Sequence, residues 1–340
     1  MKPKRFGVVR TDRIGDLILS LPVAEAIKDA VPDARVCFIT SPYTAGVARC
    51  CPFIDEVAEY SETTDRLAGF VGLCREFRRL GLDVALFLRP TPRAALAAAL
   101  AGVRVRAGTS YRFYSFLFNR SVAEHRKHAD RHESDYNLRL LESVLEIKSG
   151  PYRPRLEIRA ESRPFAEEAM SRLGVRPGHF VIVHPGSGGS ARNFTPENYA
   201  WLADFIEHEL DLKAVLTYGK GEEALIDRID SMRERNSIRL AGPDNLMELA
   251  AFIESSRLLV SGSTGPMHMA AALGVRTLSF FAPVRSCSPR RWGPLSDSAE
   301  VLMPPVEECP TCIGAKCEHY DCMDKIDRSS VADAIRRLVK

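Results

Sequence analysis

The chain has 340 residues, and its 47 Lys and Arg against 44 Asp and Glu leave a formal charge of +3, which argues against a dedicated nucleic-acid binder. Apolar residues make up 45% and charged residues 27%, which excludes a disordered, collagenous or coiled-coil chain. No run approaches the roughly 20 apolar residues of a bilayer span, and MKPKR leads into a short strand rather than a signal core. We therefore expect a soluble cytoplasmic protein of two domains.

In the first half, apolar strands alternate with helical segments, as in the βαβ units of a parallel sheet. A helical pattern begins at Leu17, and Pro22 is expected to kink or split that helix. An Ala-rich helix lies near residue 97. Residues 110–136 hold aromatic and basic side chains without a clean period, and 150–164, with three prolines, indicates a linker. Strands are predicted at 5–10, 34–40, 83–88 and 103–109.

The second half repeats this alternation. A helix is predicted from Pro196, with Thr195 as its N-cap, and others cover 222–232, 245–256, the segment from Met267, and the C-terminal residues. We predict an α/β protein of two doubly wound Rossmann-like domains, 1–160 and 161–325, with a final helix in 326–340 that packs back on the first domain. Strands are predicted at 179–184, 212–219, 237–242, 258–263 and 276–282.

Ligands of doubly wound domains bind beyond the carboxyl ends of the strands, so the residues after each strand are candidates for a site. The first strand is followed by TDRIGD, in which Gly15 permits a tight turn and Asp16 stands where a helix begins. Asp16 is either a cap that satisfies free amides or a general base whose pKa is raised by partial desolvation.

Two further loops are rich in Gly and Ser. HPGSGGSARNFT, with Ser187 and Gly188, offers backbone amides to a phosphate, and Arg192 adds a charge-assisted contact. It matches neither a dinucleotide fingerprint nor a Walker loop, and a solvated flexible loop is the alternative. The second loop, SGSTGPMHM, points with the first to a diphosphate ligand. Its candidate ligands are Ser263, Thr264, Gly265 and His268, although a structural histidine is the alternative for His268.

Glu222 and Glu223 are available to hold a ribose hydroxyl pair, or simply begin a helix favourably. Near the C-terminus, CPTCIGAKCEHYDC has the spacing of a candidate structural zinc site, with reduced structural thiols as the alternative. The four candidate zinc ligands are Cys309, Cys312, Cys317 and Cys322.

Together these motifs resemble glycosyltransferase family 9, the heptosyltransferases of the lipopolysaccharide inner core. The resemblance rests on RTDRIGDLILSLP, HPGSGGSARNFTPENYAWLA, STGPMHMAAALG and the Cys-bearing tail with CMDKI. It implies a GT-B fold, in which two Rossmann-like domains face a central cleft. It also implies an ADP-heptose donor and inversion at the anomeric carbon, with no metal or other cofactor required for catalysis.

The resemblance also implies roles for individual residues. Asp16 matches the proposed base of the family, Arg192 stands in place of a family Lys at the donor diphosphate, and Glu222 lies near an acidic ribose ligand. Thr264, Gly265 and His268 match the nucleotide-binding turn. Many family members have Asp where this chain has Ser263, which leaves the donor sugar open.

An anionic, lipid-linked saccharide is the expected acceptor, and we expect arginines of the first half to bind it. The aromatic stretch 111–118 is expected to touch the inner face of the cytoplasmic membrane. Surface arginines and core aromatics are the alternatives. Two other functions stay open: a same-fold glycosyltransferase that uses another nucleotide sugar, and a nucleotide-sugar-binding protein without activity. The candidate acceptor ligands are Arg10, Arg13, Arg89 and Arg112.

Overall fold

A computed structural model describes residues 4–61, 66–148, 151–188 and 192–340. The chain divides into two compact units, one of residues 1–127 with 131–157 and the other of residues 128–130 with 158–340. The division at Glu157 lies in the Pro-containing segment that the sequence indicates as a linker. Among the described residues, no helix is long and apolar enough to cross a membrane.

The first unit has a six-stranded parallel sheet in the order β3-β2-β1-β4-β5-β6. Its chain reverses direction across the sheet between β1 and β4, which is the switch point where ligands of this fold bind. Its elements are β1 (Arg5–Val9), α1 (Ile14–Ile18), α2 (Pro22–Ala30), β2 (Arg35–Thr40), α3 (Pro42–Arg49), β3 (Glu56–Glu59), α4 (Arg66–Leu80), β4 (Val84–Phe87), α5 (Pro92–Leu100), β5 (Val105–Thr109), β6 (Arg120–Val122) and α6 (Glu133–Glu142).

The helix after β1 differs from its prediction in a way that matters for Asp16. It begins at Ile14 rather than Leu17, because the Ile14 side chain is buried and draws the preceding loop into the first turn. Arg13 is the N-cap residue, so Asp16 lies inside the first helical turn and is not the cap. Pro22 splits the predicted helix as expected, since it stands at the first position of α2.

The second unit repeats the same topology, with the order β12-β11-β10-β7-β8-β9 and all strands parallel. Its switch point lies between β7 and β10. Its elements are α7 (Arg163–Leu173), β7 (Phe180–His184), α8 (Pro196–Glu209), β8 (Lys213–Tyr218), α9 (Glu223–Asp230), β9 (Ile238–Ala241), α10 (Leu246–Glu254), β10 (Leu258–Gly262), α11 (Gly265–Ala272), β11 (Arg276–Phe280), α12 (Pro289–Trp292), β12 (Ala299–Leu302) and α13 (Arg328–Val339).

The final helix, α13, corrects one prediction. We expected it to pack on the first domain, but its apolar face belongs to the core of the second unit. Val331, Ala334, Ile335 and Leu338 are buried there in one cluster with residues of β7, β10 and β11. Because the second unit covers this apolar face, α13 is part of the hydrophobic core of that unit.

Candidate active site

In the first unit, Asp16 is held by the buried guanidinium of Arg10 at the end of β1. Arg10 is only 3% exposed. Its Nε donates to Asp12 Oδ1 over 2.8 Å, and its two terminal nitrogens donate to Asp16 and, over 3.3 Å, to Glu133 Oε1. A further bond from Arg10 reaches the carbonyl of Leu88 at the end of β4. One arginine thus fixes a carboxylate at the switch point of the sheet.

Glu133 extends this network into α6. It is buried and also accepts a hydrogen bond from Arg126, which donates to Asn137 Oδ1 over 3.1 Å. Asn137 in turn donates to the carbonyl of Leu19, in the break between α1 and α2. The helix pair that carries Asp16 is therefore tied to a helix more than 100 residues away in sequence.

The surroundings of Asp16 shift the pKa of its carboxyl. Burial raises the pKa of this carboxyl above its usual range, Arg10 opposes the shift, and the like charges of Asp12 and Glu133 add to it. The side chain keeps 20% of its exposure, so a substrate hydroxyl has access to it. A carboxylate that is partly desolvated, oriented and accessible is suited to accept a proton.

The four arginines assigned to the acceptor differ in position. Arg10 is buried among carboxylates of its own unit, so it orients Asp16 instead of offering a free surface charge. Arg13, Arg89 and Arg112 are exposed. Arg89 donates to the carbonyl and to the hydroxyl of Thr11, both over 3.3 Å, which places it beside the loop that holds Asp16.

In the second unit, Glu222 lies against the Gly-rich loop after β7. Its carboxylate accepts a hydrogen bond of 2.9 Å from the Gly219 amide. It also fills the space beside Gly186, where any Cβ would overlap the carboxylate oxygens. Burial lowers the pKa of His184, with Glu222 opposing, and the ring bonds Thr217 Oγ1 over 3.0 Å. Glu222 thus immediately precedes α9 and packs against the Gly-rich loop at Gly186.

Asn193 contacts the carboxyl ends of both β7 and β10, the two central strands of the second unit. The sequence analysis did not single it out. Its amide nitrogen donates to the carbonyl of Pro185 after β7, and its oxygen accepts from the Tyr199 hydroxyl over 2.8 Å. The same oxygen stands where a Cβ on Gly262, the last residue of β10, would be. Gly262 is therefore needed for close approach of this side chain, which fixes the shape of the loop.

The turn after β10 has the arrangement expected of an anion cradle. Thr264 is the N-cap residue of α11 and donates to Ser261 Oγ over 3.3 Å, while Gly265 and Pro266 open the helix. His268 is buried one turn further on. The first amides of α11 therefore lie at the switch point beside a His side chain, and Ser263 lies partly exposed before them.

Arg192 lies in the segment between β7 and α8. Its guanidinium lies 4.0 Å from the centroid of the Tyr320 ring, a cation–π contact with the Cys-bearing tail. Ser187 is partly exposed and Gly188 has a φ of 54°. Residues 189–191, which belong to the predicted phosphate loop, lie outside the described residues.

The four thiols of the predicted zinc site lie in the described part of the second unit, and the zinc site stays a prediction. In the part of the chain that the structure describes, no three His, Cys, Asp or Glu side chains are placed to hold a metal ion. Cys322 is buried in the core of the second unit whereas Cys312 is exposed, so the thiols occupy different environments. Burial raises the pKa of Cys322, which favours a neutral thiol.

Comparison with known proteins identifies the family. The model of glycosyltransferase family 9 (heptosyltransferase) matches residues 71–322. The chain belongs to glycosyltransferase family 9. This family 9 enzyme therefore carries its two candidate sites at the switch points of two Rossmann-like units, the fold expected from its sequence.

Its relatives include a putative glycosyltransferase of Haemophilus influenzae, 29% identical over 86% of this chain and 87% of the relative. Among solved structures, the family 9 glycosyltransferase of Veillonella parvula is 24% identical, with a TM-score of 0.85 over 99% of this chain and 97% of the other. Escherichia coli ADP-heptose lipopolysaccharide heptosyltransferase II is 18% identical, with a TM-score of 0.78 over 99% and 98%. The two structural matches show that the fold is shared.

Within each unit, these predicted residues lie at the carboxyl ends of the parallel strands. In the first unit, Arg10, Asp16 and Arg89 converge at the ends of β1 and β4. In the second unit, Ser187, Gly188, Arg192, Ser263, Thr264, Gly265 and His268 follow β7 and β10, and Glu222 follows β8. Glu133 and Asn193 were missed. Glu133 gives no local signal because its partner Arg10 is distant in sequence, and Asn193 is one polar residue in a loop of many.

Proposed function

We propose that this glycosyltransferase transfers heptose from ADP-heptose to an anionic, lipid-linked saccharide of the lipopolysaccharide inner core, with inversion and without a catalytic metal. One observation carries the proposal: Asp16, partly desolvated and oriented by Arg10, stands at the switch point of the first unit. A protein that only binds nucleotide sugars has no need of a base held in this way. The relationship to heptosyltransferases supports the choice of sugar.

In the proposed reaction, the acceptor hydroxyl attacks the anomeric carbon of the donor in a single displacement. Asp16 accepts the hydroxyl proton as the new glycosidic bond forms, and the raised pKa makes the carboxylate a stronger base. Arg10 keeps the carboxylate in one orientation through the reaction. The bond to the diphosphate breaks at the same time, which inverts the configuration.

Negative charge accumulates on the departing diphosphate, and the second unit supplies groups that stabilise it. Arg192 contributes a fixed positive charge, and the free amides at the start of α11 point their dipoles at the same anion. His268 lies within the same helix turn. These groups replace the charge that a metal ion provides in other transferases, and Glu222 is the proposed ligand of the ribose hydroxyls.

Acceptor binding is assigned to Arg13, Arg89 and Arg112, three exposed arginines of the first unit. Arg89 is held beside Asp16 by Thr11, so a phosphate or carboxylate of the acceptor bound there brings a nearby hydroxyl to the base. We place the enzyme at the inner face of the cytoplasmic membrane, because the proposed acceptor is lipid-linked.

Thermal denaturation with ADP, UDP, GDP and CMP tests the donor. A nucleotide at about 100 times its dissociation constant adds about 2.7 kcal/mol to the free energy of unfolding. Of the four nucleotides, we expect only ADP to raise the midpoint of thermal unfolding, by several degrees. A response to another nucleotide would move the assignment to a different sugar, which Ser263 keeps open, and no response at all would contradict the phosphate cradle.

Asp16→Asn tests the base. We expect transfer to fall at least about 100-fold, since general-base catalysis contributes about that much or more, with the affinity for ADP unchanged. Asp33→Asn, a change of the same kind at an exposed carboxylate of the same unit, is the control and should keep full activity. Equal activity of Asp16→Asn and the control would favour a binding protein or another base.

A further inference from the structure

The segment after β5 exposes two aromatic rings. Phe113 is 87% and Phe116 80% exposed, and they are the two most exposed large apolar side chains in the described part of the chain. Phe116 lies within the 3₁₀ turn Ser115–Leu117, and Phe113 precedes that turn by two residues. Two phenyl rings in water carry a free-energy cost that a folded protein normally avoids.

The neighbouring aromatic residues of this segment point inward and hold it in place. Tyr114 is buried, and its hydroxyl donates to the carbonyl of Pro90 over 2.8 Å. Phe118 is buried with its ring centroid 5.2 Å from that of Phe87 in β4. Arg106 donates to the carbonyl of Leu117 over 2.7 Å. Phe113 and Phe116 are therefore presented to solvent by an anchored turn.

Arginines predominate among the charged residues of the surrounding sequence. From Val84 to Ala123 the chain has six Arg and no Lys, Asp or Glu. Arg112 and Arg120 are exposed within the segment. On the adjoining helix α5, Leu96 and Leu100 add exposed apolar surface. Apolar rings flanked by arginines match the interface of an anionic bilayer, where rings enter the headgroup layer and cations bind lipid phosphates.

This segment is connected to the candidate base. It follows the carboxyl end of β5, and in a parallel sheet that end lies at the same edge as the ends of β1 and β4. Tyr114 bonds Pro90, the neighbour of Arg89, and Arg89 bonds Thr11, the neighbour of Arg10. These hydrogen bonds fix the Phe113 and Phe116 rings relative to the carboxyl ends of the strands beside Asp16.

We propose that Phe113 and Phe116 insert into the headgroup layer of an anionic membrane, with Arg112 and Arg120 on lipid phosphates, and so hold the acceptor-binding edge of this unit at the bilayer. The proposal rests on the proposed function only in that the acceptor is lipid-linked. A bilayer is favoured over a protein partner because two rings form a small patch, well below the roughly 800 Å² per partner of a stable protein interface.

Co-sedimentation with vesicles tests the proposal with the full-length chain and without donor or acceptor. We use phosphatidylcholine vesicles with and without phosphatidylglycerol, at low and high salt. The wild type should bind the anionic vesicles, and more weakly at high salt. The Phe113→Ser/Phe116→Ser variant should bind at least about tenfold more weakly, and Arg120→Gln about fivefold more weakly on anionic vesicles only.

Met232→Ser, at an exposed apolar side chain of the second unit, is the matched control and should bind as the wild type does. Circular dichroism and transfer to a delipidated saccharide, both unchanged in the double Phe variant, separate membrane binding from folding and from activity. Absence of wild-type binding, or equal binding by the double variant, would overturn the proposal. So would a wild-type dimer that the double variant converts to a monomer, because a second copy would then cover the rings.

Discussion

At the scale of single residues, Arg10 sets the properties of the candidate base. It contacts Asp12, Asp16 and Glu133 while almost fully buried, so its removal leaves carboxylates close together without their cation. Breaking such a network costs about 3 kcal/mol or more. The same contact lowers the pKa of Asp16 against the effect of burial. Arg10 therefore affects both the stability of the fold and the pKa of the candidate base.

Arg10→Gln should move the acid limb of the pH profile of kcat/KM to higher pH. The loss of the positive charge raises the pKa of Asp16 further, so the ionised base disappears at a higher pH than in the wild type. Activity measured from pH 5 to 9 checks this, with Arg35→Gln, an exposed arginine of β2, as the control. An unchanged acid limb would mean that another group serves as the base.

Gly186→Ala tests the contact between Glu222 and the Gly-rich loop. The new Cβ displaces the flexible carboxylate of Glu222 and breaks its bond to the Gly219 amide, so ADP affinity should fall with little change in Tm. Calorimetric titration with ADP measures the affinity. The control is Gly72→Ala in α4, where a Cβ meets nothing within 4 Å and should be neutral or slightly stabilising. Unchanged affinity would remove Glu222 from the donor site.

At the scale of elements, α13 contributes a large part of the second core. Ile335→Ala should lower the free energy of unfolding by about 2–4 kcal/mol, because the side chain is fully buried and leaves a cavity. Asp333→Ala on the exposed face of the same helix should change it by less than about 1 kcal/mol. Urea denaturation measures both, and equal effects would contradict the packing of this helix.

The buried central strands are among the elements that the sequence predicts correctly. The central strands β1, β4, β7 and β10 are continuous apolar runs, and the structure contains each of them. The edge strands β3, β6 and β12 were missed; each has three or four residues, of which at most one is buried. Short edge strands carry no periodic signal. The missed helices are α3, α4, α6, α7 and α12.

The position of a residue in the fold also decided which residues of the candidate sites could be predicted. Residues that directly follow a central strand, such as Asp16 and Thr264, were identified because the fold class fixes where ligands bind. The burial of Arg10 was not anticipated, since an arginine next to a strand end looks like a surface residue until its carboxylates are known. Glu133 is 123 residues from Arg10, and only tertiary structure brings the two together.

At the scale of the whole molecule, the two units have the same strand order and separate cores. We expect ADP to stabilise the second unit, which holds the proposed donor groups. Differential scanning calorimetry of the full chain should resolve this as a transition whose midpoint rises with ADP concentration, while CMP leaves it unchanged. Hydrogen exchange assigns the protected amides, and protection centred in the first unit would contradict the assignment of the donor site.

The bond between Arg10 and Glu133 has a consequence for the synthesis of the protein. The segment with Asp16 leaves the ribosome first, but the helix that begins at Glu133 follows 117 residues later. At 5–20 residues per second, the interval is on the order of 10 seconds. During this time Arg10 lacks one of its carboxylates, so the nascent chain carries the candidate base before its network of ion pairs is complete.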